Sequence, residues 1–180
     1  SLALKHRGPD DSGVYINQSL NVGLGHRRLS ILDKSSFGHQ PMVSNDGSVI
    51  LIFNGEIYNY KELRSDLKKS GFVFDGNSDT EVLLKLYLSE GEGMLPRLNG
   101  IFALAVWDMN VESLFLARDG MGVKPLYYSM EDDVFTFASE IKALLKLTPN
   151  NKKLDAQSIN RYLSFLWCPG DGTPLESVKK

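Results

Sequence analysis

Residues 49–60 have the sequence VILIFNGEIYNY, and this stretch decides how the chain folds. The five apolar residues 49–53 predict a buried strand that ends at the pair Asn54-Gly55. Asn and Gly accept a positive φ, and Gly lets other atoms approach the backbone closely. The pair is therefore either a hairpin turn or an oxyanion hole, in which a side-chain amide and a backbone N–H donate to one developing negative charge.

The composition is that of a globular protein, and it excludes several classes of function. The 180 residues are 42% hydrophobic and 23% charged, with a formal net charge of −2. Because no block of Lys and Arg is present, we expect neither nucleic acid nor an anionic membrane as a partner. The His residues lack the spacing of a metal pair, so no metal site is predicted. The single Cys, Cys168, rules out an internal disulfide and fits a cytoplasmic location.

Strand and helix signals together predict an α+β fold. The strands come in hairpin-linked groups, which favours antiparallel sheets packed on helices over a doubly wound parallel sheet. Strands are expected at 14–17, 21–25, 28–32, 49–53, 100–108, 113–117, 126–129 and 134–137. Helices are expected at 60–70 (capped by Asn59), 79–90 (opened by the capping box Ser78–Glu81), 140–146 and 156–166 (capped by Asp155).

Nine short motifs occur in order along residues 5–167, and together they resemble one family. They are HRGPD (6–10), GHRRLSI (25–31), GHQPM (38–42), FNGEIYN (53–59), SDTE (78–81), NGIFA (99–103), ARD (117–119), GVKPLYY (122–128) and ASEIKAL (138–144). The set resembles the class II glutamine amidotransferase domain of asparagine synthetases. That resemblance implies an N-terminal-nucleophile hydrolase fold, a four-layer αββα sandwich of antiparallel sheets, here truncated at its first strand.

The resemblance also implies a domain organisation. Residues 1–150 correspond to the glutamine amidotransferase domain, and the polar stretch at 148–153 marks its end. Residues 151–180 correspond to a linker and the start of the synthetase domain. Since the chain begins at Ser1 inside a motif-bearing segment and stops at ESVKK without a helix stop, we expect it to be a fragment of a longer protein.

The family assigns roles to particular residues of this chain. Arg28 matches the Arg that binds the α-carboxylate of glutamine, and a guanidinium fork suits a carboxylate. Asp79 matches the carboxylate that receives the α-ammonium. Asn54 and Gly55 match the two oxyanion donors. The whole implied glutamine-binding set is Arg28, Leu29, Ser30, Ile31, Leu32, Asn54, Gly55, Glu56 and Asp79.

Each of these residues also has a structural interpretation. Asp79 lies in a first helical turn, where a carboxylate favourably meets the helix dipole without any ligand. Arg27 and Arg28 could form a solvated strand edge, and only one of them can face a given pocket because neighbours alternate. Arg118-Asp119 is interpreted as a structural pair at a turn. The His side chains are expected to satisfy local backbone groups.

The family's nucleophile is an N-terminal Cys whose own amine acts as the base. That Cys would precede HRGPD, and Cys168 cannot replace it because it follows a helix end and has no free amine. Ser1 lies at the wrong place in the motif order. We therefore expect the chain alone to be inactive, and the missing first strand to leave a sheet edge that favours a homo-oligomer.

The first functional hypothesis is the glutaminase part of an asparagine synthetase. It would hydrolyse L-glutamine to glutamate and ammonia for the ATP-dependent amidation of aspartate, with ATP and Mg²⁺ in the absent synthetase domain and no cofactor in these residues. One alternative is an amidotransferase with another acceptor, making an aminosugar or phosphoribosylamine. The other is a non-catalytic glutamine-binding module.

Overall fold

The computed structural model describes residues 2–29, 36–147 and 152–180. The chain divides into two compact units, Ser1–Lys124 and Pro125–Lys180. This division falls before the domain boundary that we predict at residue 150. Compactness alone does not tell which domain of a longer protein a segment belongs to, so the assignment of 1–150 and 151–180 stays a prediction.

The first unit contains two antiparallel sheets. Strands β1 (Asp11–Asn17) and β2 (Val22–Arg28) form a two-stranded ribbon. The second sheet has the strand order β3-β4-β5-β6, and every pairing in it is antiparallel, which confirms the predicted type of sheet. Its strands are β3 (Met42–Val43), β4 (Val49–Ile57), β5 (Gly100–Asp108) and β6 (Ser113–Arg118).

Helices α1 (Tyr60–Lys69) and α2 (Asp79–Glu90) follow β4, and short 3₁₀ turns lie at Leu2–Arg7, Ser36–Gly38 and Gly91–Arg97. The second unit has a hairpin of β7 (Tyr127–Glu131) and β8 (Val134–Ala138), then α3 (Ile141–Leu147) and α4 (Ala156–Phe165). The predicted helices are thus confirmed to within a residue or two.

In the described ranges, no helix combines the length and apolar character that crossing a membrane requires.

The core of the first unit lies between the main sheet and its two helices. Along β4, alternate residues point to the helices because side chains of a strand alternate between faces. The buried cluster comprises Val49, Leu51, Phe53 and Ile57 of β4, Leu63 and Leu67 of α1, Val82, Leu83, Leu84, Leu86 and Tyr87 of α2, Met94, and Phe102, Leu104 and Val106 of β5. Each fully buried Leu or Ile contributes about 1.5–3 kcal/mol by its removal from water. This packing holds the first turn of α2 against β4.

The predicted capping box of α2 is confirmed in part. Ser78 Oγ accepts from the Glu81 N–H at 3.2 Å, and Gly91 ends the helix with a positive φ of 57°. Glu81, however, does not return to Ser78. Its carboxylate accepts from the N–H groups of Asp75 and Gly76 at 2.8 and 2.9 Å, so it fixes the loop that leads into α2.

The prediction that the Asn59 side chain caps α1 is wrong. Asn59 Nδ2 donates to the Arg97 carbonyl at 2.9 Å, and its Oδ1 accepts from the Asn99 N–H at 3.1 Å. The side chain therefore ties the residue that precedes α1 to the segment that leads into β5, and these longer-range hydrogen bonds replace the local cap. Gly71, with a φ of 92°, follows the end of α1.

The expectation that Asn54-Gly55 ends a strand is also wrong. β4 continues through both residues to Ile57, because β5 pairs with it as far as Ile57 opposite Gly100. Gly55 is not among the residues with positive φ, so the pair is not the turn of a hairpin. The predicted close approach does occur. A Cβ at position 55 would overlap the carbonyl oxygen of Ile101 on β5.

Candidate active site

The outer edge of β4 carries backbone N–H groups that point away from β5. β3 covers this edge only at Ile50 and Leu51. Further along, the Phe53 N–H donates to a side-chain oxygen of Gln40 at 2.6 Å, and the Ile57 N–H donates to a carboxylate oxygen of Asp79 at 3.1 Å. Alternate N–H groups of an antiparallel strand point to the same side.

Between these two filled positions, the Gly55 N–H points to the same edge. Among the residues that the structure describes, no protein group accepts from it, and the Asn54 side-chain amide likewise has no partner there. Adjacent donors that protein groups leave open are what an oxyanion hole requires. The Gly55 N–H is thus open at the edge of β4 beside Asn54, and the role of the two residues as oxyanion donors stays a prediction.

Asp79 is the buried carboxylate beside this edge. It is the first residue of α2, and its side chain is 6% exposed. Burial raises the pKa of Asp79 above its usual range, and the nearby charge of Glu56 raises it further, although the bond from the Ile57 N–H opposes this. The ionised form of Asp79 is therefore less favourable here than in water, and a cation bound beside it would stabilise that form.

Sequence reasoning missed the role of Gln40. Gln40 is 5% exposed. Its Oε1 accepts a hydrogen bond from the Phe53 N–H, and its Nε2 donates one to Thr80 Oγ1 at 3.4 Å. Gln40 and Asp79 therefore connect the first turn of α2 to β4 on both sides of Gly55. The only signal was the Gln in the GHQPM motif, and no local pattern says which strand that side chain reaches.

We expect Gln40→Leu to lower the free energy of unfolding by about 1–3 kcal/mol, because it leaves a buried N–H of β4 without an acceptor. Chemical denaturation of the two proteins measures this. The matched control is His39→Ala, which removes only an exposed pair with Asp11 and should cost less than about 1 kcal/mol. Equal stability of Gln40→Leu and the wild-type chain would contradict the assigned hydrogen bond.

Arg28 and His26 lie on the same face of β2. His26 Nε2 contacts the Phe53 carbonyl at 3.0 Å, and since a carbonyl only accepts, Nε2 carries the proton. Burial lowers the pKa of His26 to about 4, with a further contribution from the Arg28 charge, so the ring is neutral at pH 7. The Arg28 guanidinium packs on Gly38, where a Cβ would overlap it. By alternation along β2, Arg28 therefore shares the face of His26, the residue that contacts β4, and Arg27 lies on the opposite face.

The remaining predicted site residues are placed as follows. Leu29 follows β2 and is 56% exposed. Ser30, Ile31 and Leu32 lie outside the described residues, as does most of the predicted strand at 28–32. Among the described residues, no group of three or more His, Cys, Asp and Glu side chains could hold a metal ion.

Asp119 has the structural role that the sequence analysis gives it. Its buried carboxylate accepts N–H groups of Phe102, Val123 and Lys124 at 3.2, 2.9 and 3.0 Å. Burial opposes ionisation, but these hydrogen bonds outweigh it, and the pKa of Asp119 lies below its usual value. The residue organises the turn after β6. His26 satisfies a backbone carbonyl, but that of the distant Phe53 and not a local one as expected, and His39 pairs with the Asp11 carboxylate at 2.7 Å.

Antiparallel sheets packed on helices are consistent with one class of protein, the amidotransferases with the N-terminal-nucleophile fold. A solved structure supports the class. The chain resembles the glutamine phosphoribosylpyrophosphate amidotransferase from B. subtilis with a TM-score of 0.57 and 28% identity, covering 68% of this chain and 28% of that one. The family model described as "Glutamine amidotransferase domain" matches residues 1–180, and the chain belongs to this family.

Several relatives with higher identity are asparagine synthetases. The chain is 43% identical over 175 residues to asparagine synthetase [glutamine-hydrolyzing] 1 of Bacillus subtilis, covering 97% of this chain and 27% of that protein. It is 45% identical over 169 residues to asparagine synthetase [glutamine-hydrolyzing] 2 of the same organism, covering 94% of this chain and 22% of that protein. The chain therefore matches the glutamine amidotransferase part of much longer proteins.

Proposed function

We propose that the chain is the glutamine-binding part of a glutamine-dependent asparagine synthetase. The observation that carries the proposal is the open Gly55 N–H. It lies between two other N–H groups of β4, those of Phe53 and Ile57, which donate to Gln40 and Asp79. L-glutamine would place its side-chain carbonyl oxygen at this donor and at the Asn54 amide. Its α-ammonium would lie at Asp79 and Glu56, and its α-carboxylate at Arg28.

The chemistry follows from this placement. When a nucleophile attacks the amide carbon, the C=O bond becomes a C–O⁻ group, and the two donors stabilise its charge. The proton that the nucleophile gives up passes to the amide nitrogen, the C–N bond breaks, ammonia leaves, and water then releases glutamate and restores the nucleophile. The guanidinium of Arg28 and the carboxylate of Asp79 fix both ends of the zwitterion, which holds the amide over the donors.

The attacking group is proposed to lie outside these 180 residues. The single Cys, Cys168, belongs to the second unit, where its Sγ contacts the Ser158 carbonyl at 3.5 Å. We interpret it as a structural thiol. The 180-residue chain should therefore bind glutamine without hydrolysing it, and hydrolysis is expected only in the longer protein.

The partners of the longer protein belong to the same proposal. Ammonia would pass to a synthetase domain that binds ATP and Mg²⁺ and amidates aspartate, in the cytoplasm. The higher identity to two asparagine synthetases, 43% and 45% against 28% for the phosphoribosylpyrophosphate enzyme, supports aspartate over a sugar phosphate as the acceptor. The homo-oligomer expected from the sequence stays a prediction.

Calorimetric titration of the chain with L-glutamine tests the proposal. We expect binding of L-glutamine, and weaker binding of D-glutamine and of L-asparagine, whose amide is one methylene too short to reach β4. Arg28→Ala should weaken binding on the order of tenfold or more, because a hydrogen bond to a charged group is worth about 1.5–3 kcal/mol.

The control for this titration is Arg97→Ala, which removes a surface ion pair with Glu90 and Asp66 in the same unit. It should leave the affinity for glutamine unchanged. Absence of binding to the wild-type chain would contradict the proposed function. Unchanged affinity of Arg28→Ala would remove Arg28 from the site and leave the rest of the assignment standing.

A further inference from the structure

The loop that leads into α2 packs against the short turn that contains Gly38. Gly76 of this loop is buried, and a Cβ added to it would lie 2.6 Å from the Phe37 Cβ, which is closer than packed carbon atoms approach. Phe37 and Gly38 belong to the 3₁₀ turn Ser36–Gly38. Because position 76 has no side chain, the backbone of the loop can support this turn directly.

The same turn also supports Arg28. A Cβ on Gly38 would overlap the guanidinium of Arg28, so the backbone of the turn lies directly against that group. Gly38 is buried. The Ser36–Gly38 turn therefore contacts two things: the loop before α2, and the guanidinium that we assign to the α-carboxylate of glutamine.

Glu81 of α2 fixes the loop at Gly76. Its Oε1 accepts from the Asp75 N–H at 2.8 Å, and its Oε2 accepts from the Gly76 N–H at 2.9 Å. Glu81 is 6% exposed, and the ammonium of Lys85 lies 3.6 Å from its Oε1. Hydrogen bonds to an ionised carboxylate are stronger than those between neutral groups, so Glu81 holds this part of the loop firmly.

Phe74 attaches the same loop at a second point. The guanidinium carbon of Arg64 lies 4.4 Å from the centre of the Phe74 ring, and the Lys85 ammonium lies 5.5 Å from it. The electrons of an aromatic face attract cations at these distances. Arg64 belongs to α1 and Lys85 to α2, so the two helices of the core together determine where Gly76 lies.

We propose that Glu81 and Gly76 are positioning residues for Arg28. Glu81 holds Gly76, Gly76 supports the Ser36–Gly38 turn, and the turn packs on the guanidinium that would bind the α-carboxylate of L-glutamine. A long Arg side chain loses rotamer entropy when a ligand fixes it, and a side chain that is already fixed avoids this loss on binding. The inference rests on the proposed function and extends it to two residues that need not touch the ligand.

Gly76→Ala tests the inference first without any ligand. The added methyl group should displace Phe37, which is half-exposed and can move, and with it the turn that supports Arg28. Relaxation of the Arg28 ¹⁵Nε nucleus in the 180-residue chain measures this, and we expect its order parameter to fall below about 0.6, the range of flexible groups. The matched control is Gly93→Ala, because a Cβ there meets nothing within 4 Å. Unchanged amide shifts of β5 will show that both variants fold.

The affinity for L-glutamine, measured by titration of the same samples, is the second readout. Gly76→Ala should raise the dissociation constant about three- to tenfold, the cost of fixing one long side chain on binding. In an Arg28→Ala background, the same change should alter it less than about twofold, because no guanidinium remains to be positioned. Glu81→Gln, which can accept only one of the two loop N–H groups through its single oxygen, should show the same dependence on Arg28.

Two results would overturn the inference. One is an order parameter of the Arg28 Nε that is the same in Gly76→Ala and in the wild-type chain. The other is an equal loss of affinity with and without Arg28, which would mean that Gly76 acts on the site through another residue. A chain that binds no glutamine, but in which Gly76→Ala makes Arg28 flexible, contradicts only the proposed function.

Discussion

Asn54→Ala is expected to reduce glutamine hydrolysis by the longer protein on the order of a hundredfold or more, because one of two oxyanion donors is lost. Asn54 lies within β4 beside the Gly55 N–H, and the hydrogen bond from its side-chain amide becomes much stronger once the carbonyl oxygen carries the charge of an oxyanion. The loss should therefore fall on kcat, with KM for glutamine little changed. Synthesis from added ammonia should be spared, because it bypasses this site.

The control is Asn45→Ala, an exposed turn residue of the same unit, which should leave both activities unchanged. Steady-state rates with glutamine and with ammonia, measured side by side, separate the alternatives. Equal loss of both activities would mean that Asn54 supports the fold or the synthetase and not the oxyanion. A rise in KM with kcat unchanged would assign it to ground-state binding.

Asp79→Asn is expected to stabilise the chain and to weaken its affinity for glutamine. Asn retains an oxygen that can accept the Ile57 N–H but lacks the charge that burial and Glu56 disfavour. The melting temperature at pH 7 should therefore rise. The free energy of glutamine binding should become less favourable by about 2–5 kcal/mol, since the ammonium of the ligand loses a buried counter-charge.

The direction of the pH dependence follows from the raised pKa of Asp79. The folded state keeps its proton to a higher pH than the unfolded state does. This contribution to stability is fully present below the unfolded pKa and is lost as pH rises through the folded pKa. In Asp79→Asn, that loss should vanish, so the gain in melting temperature over wild type should grow between acidic and neutral pH.

Asp119→Asn is the matched control, because both Asp residues are 6% exposed and their pKa values shift in opposite directions. The lowered pKa of Asp119 means that its charge stabilises the fold above its unfolded pKa, a contribution lost as pH falls through the folded pKa. Asp119→Asn should thus lower the melting temperature at pH 7. A fall in melting temperature for Asp79→Asn as well would contradict the account of that residue.

The sequence predicts well what depends on neighbouring residues. The Ser78 cap of α2 and the apolar run of β5 are local, since each needs only a few residues to be specified. The class of sheet follows from the grouping of such local signals. The resemblance to amidotransferases points to Asn54 and Gly55. The local apolar pattern, however, predicts that β4 ends at residue 53, before these two residues.

Contacts between distant segments could not be predicted. β4 continues to Ile57 because β5, more than forty residues later, pairs with its full length. Gln40 reaches Phe53 and Thr80 from a loop, and Asn59 spans to Arg97 in place of capping its own helix. The hydrogen-bond partners of these side chains depend on which polar groups come close together once the sheet has formed. No periodicity in the sequence indicates those partners.

The most direct test of the central claim is a crystal structure of the chain with L-glutamine. The account predicts that the side-chain oxygen of glutamine lies about 2.7–3.1 Å from both the Gly55 nitrogen and the Asn54 amide nitrogen, with the α-ammonium at Asp79. Glutamine bound with its amide turned away from β4, or a protein group occupying the Gly55 N–H in its place, would contradict it.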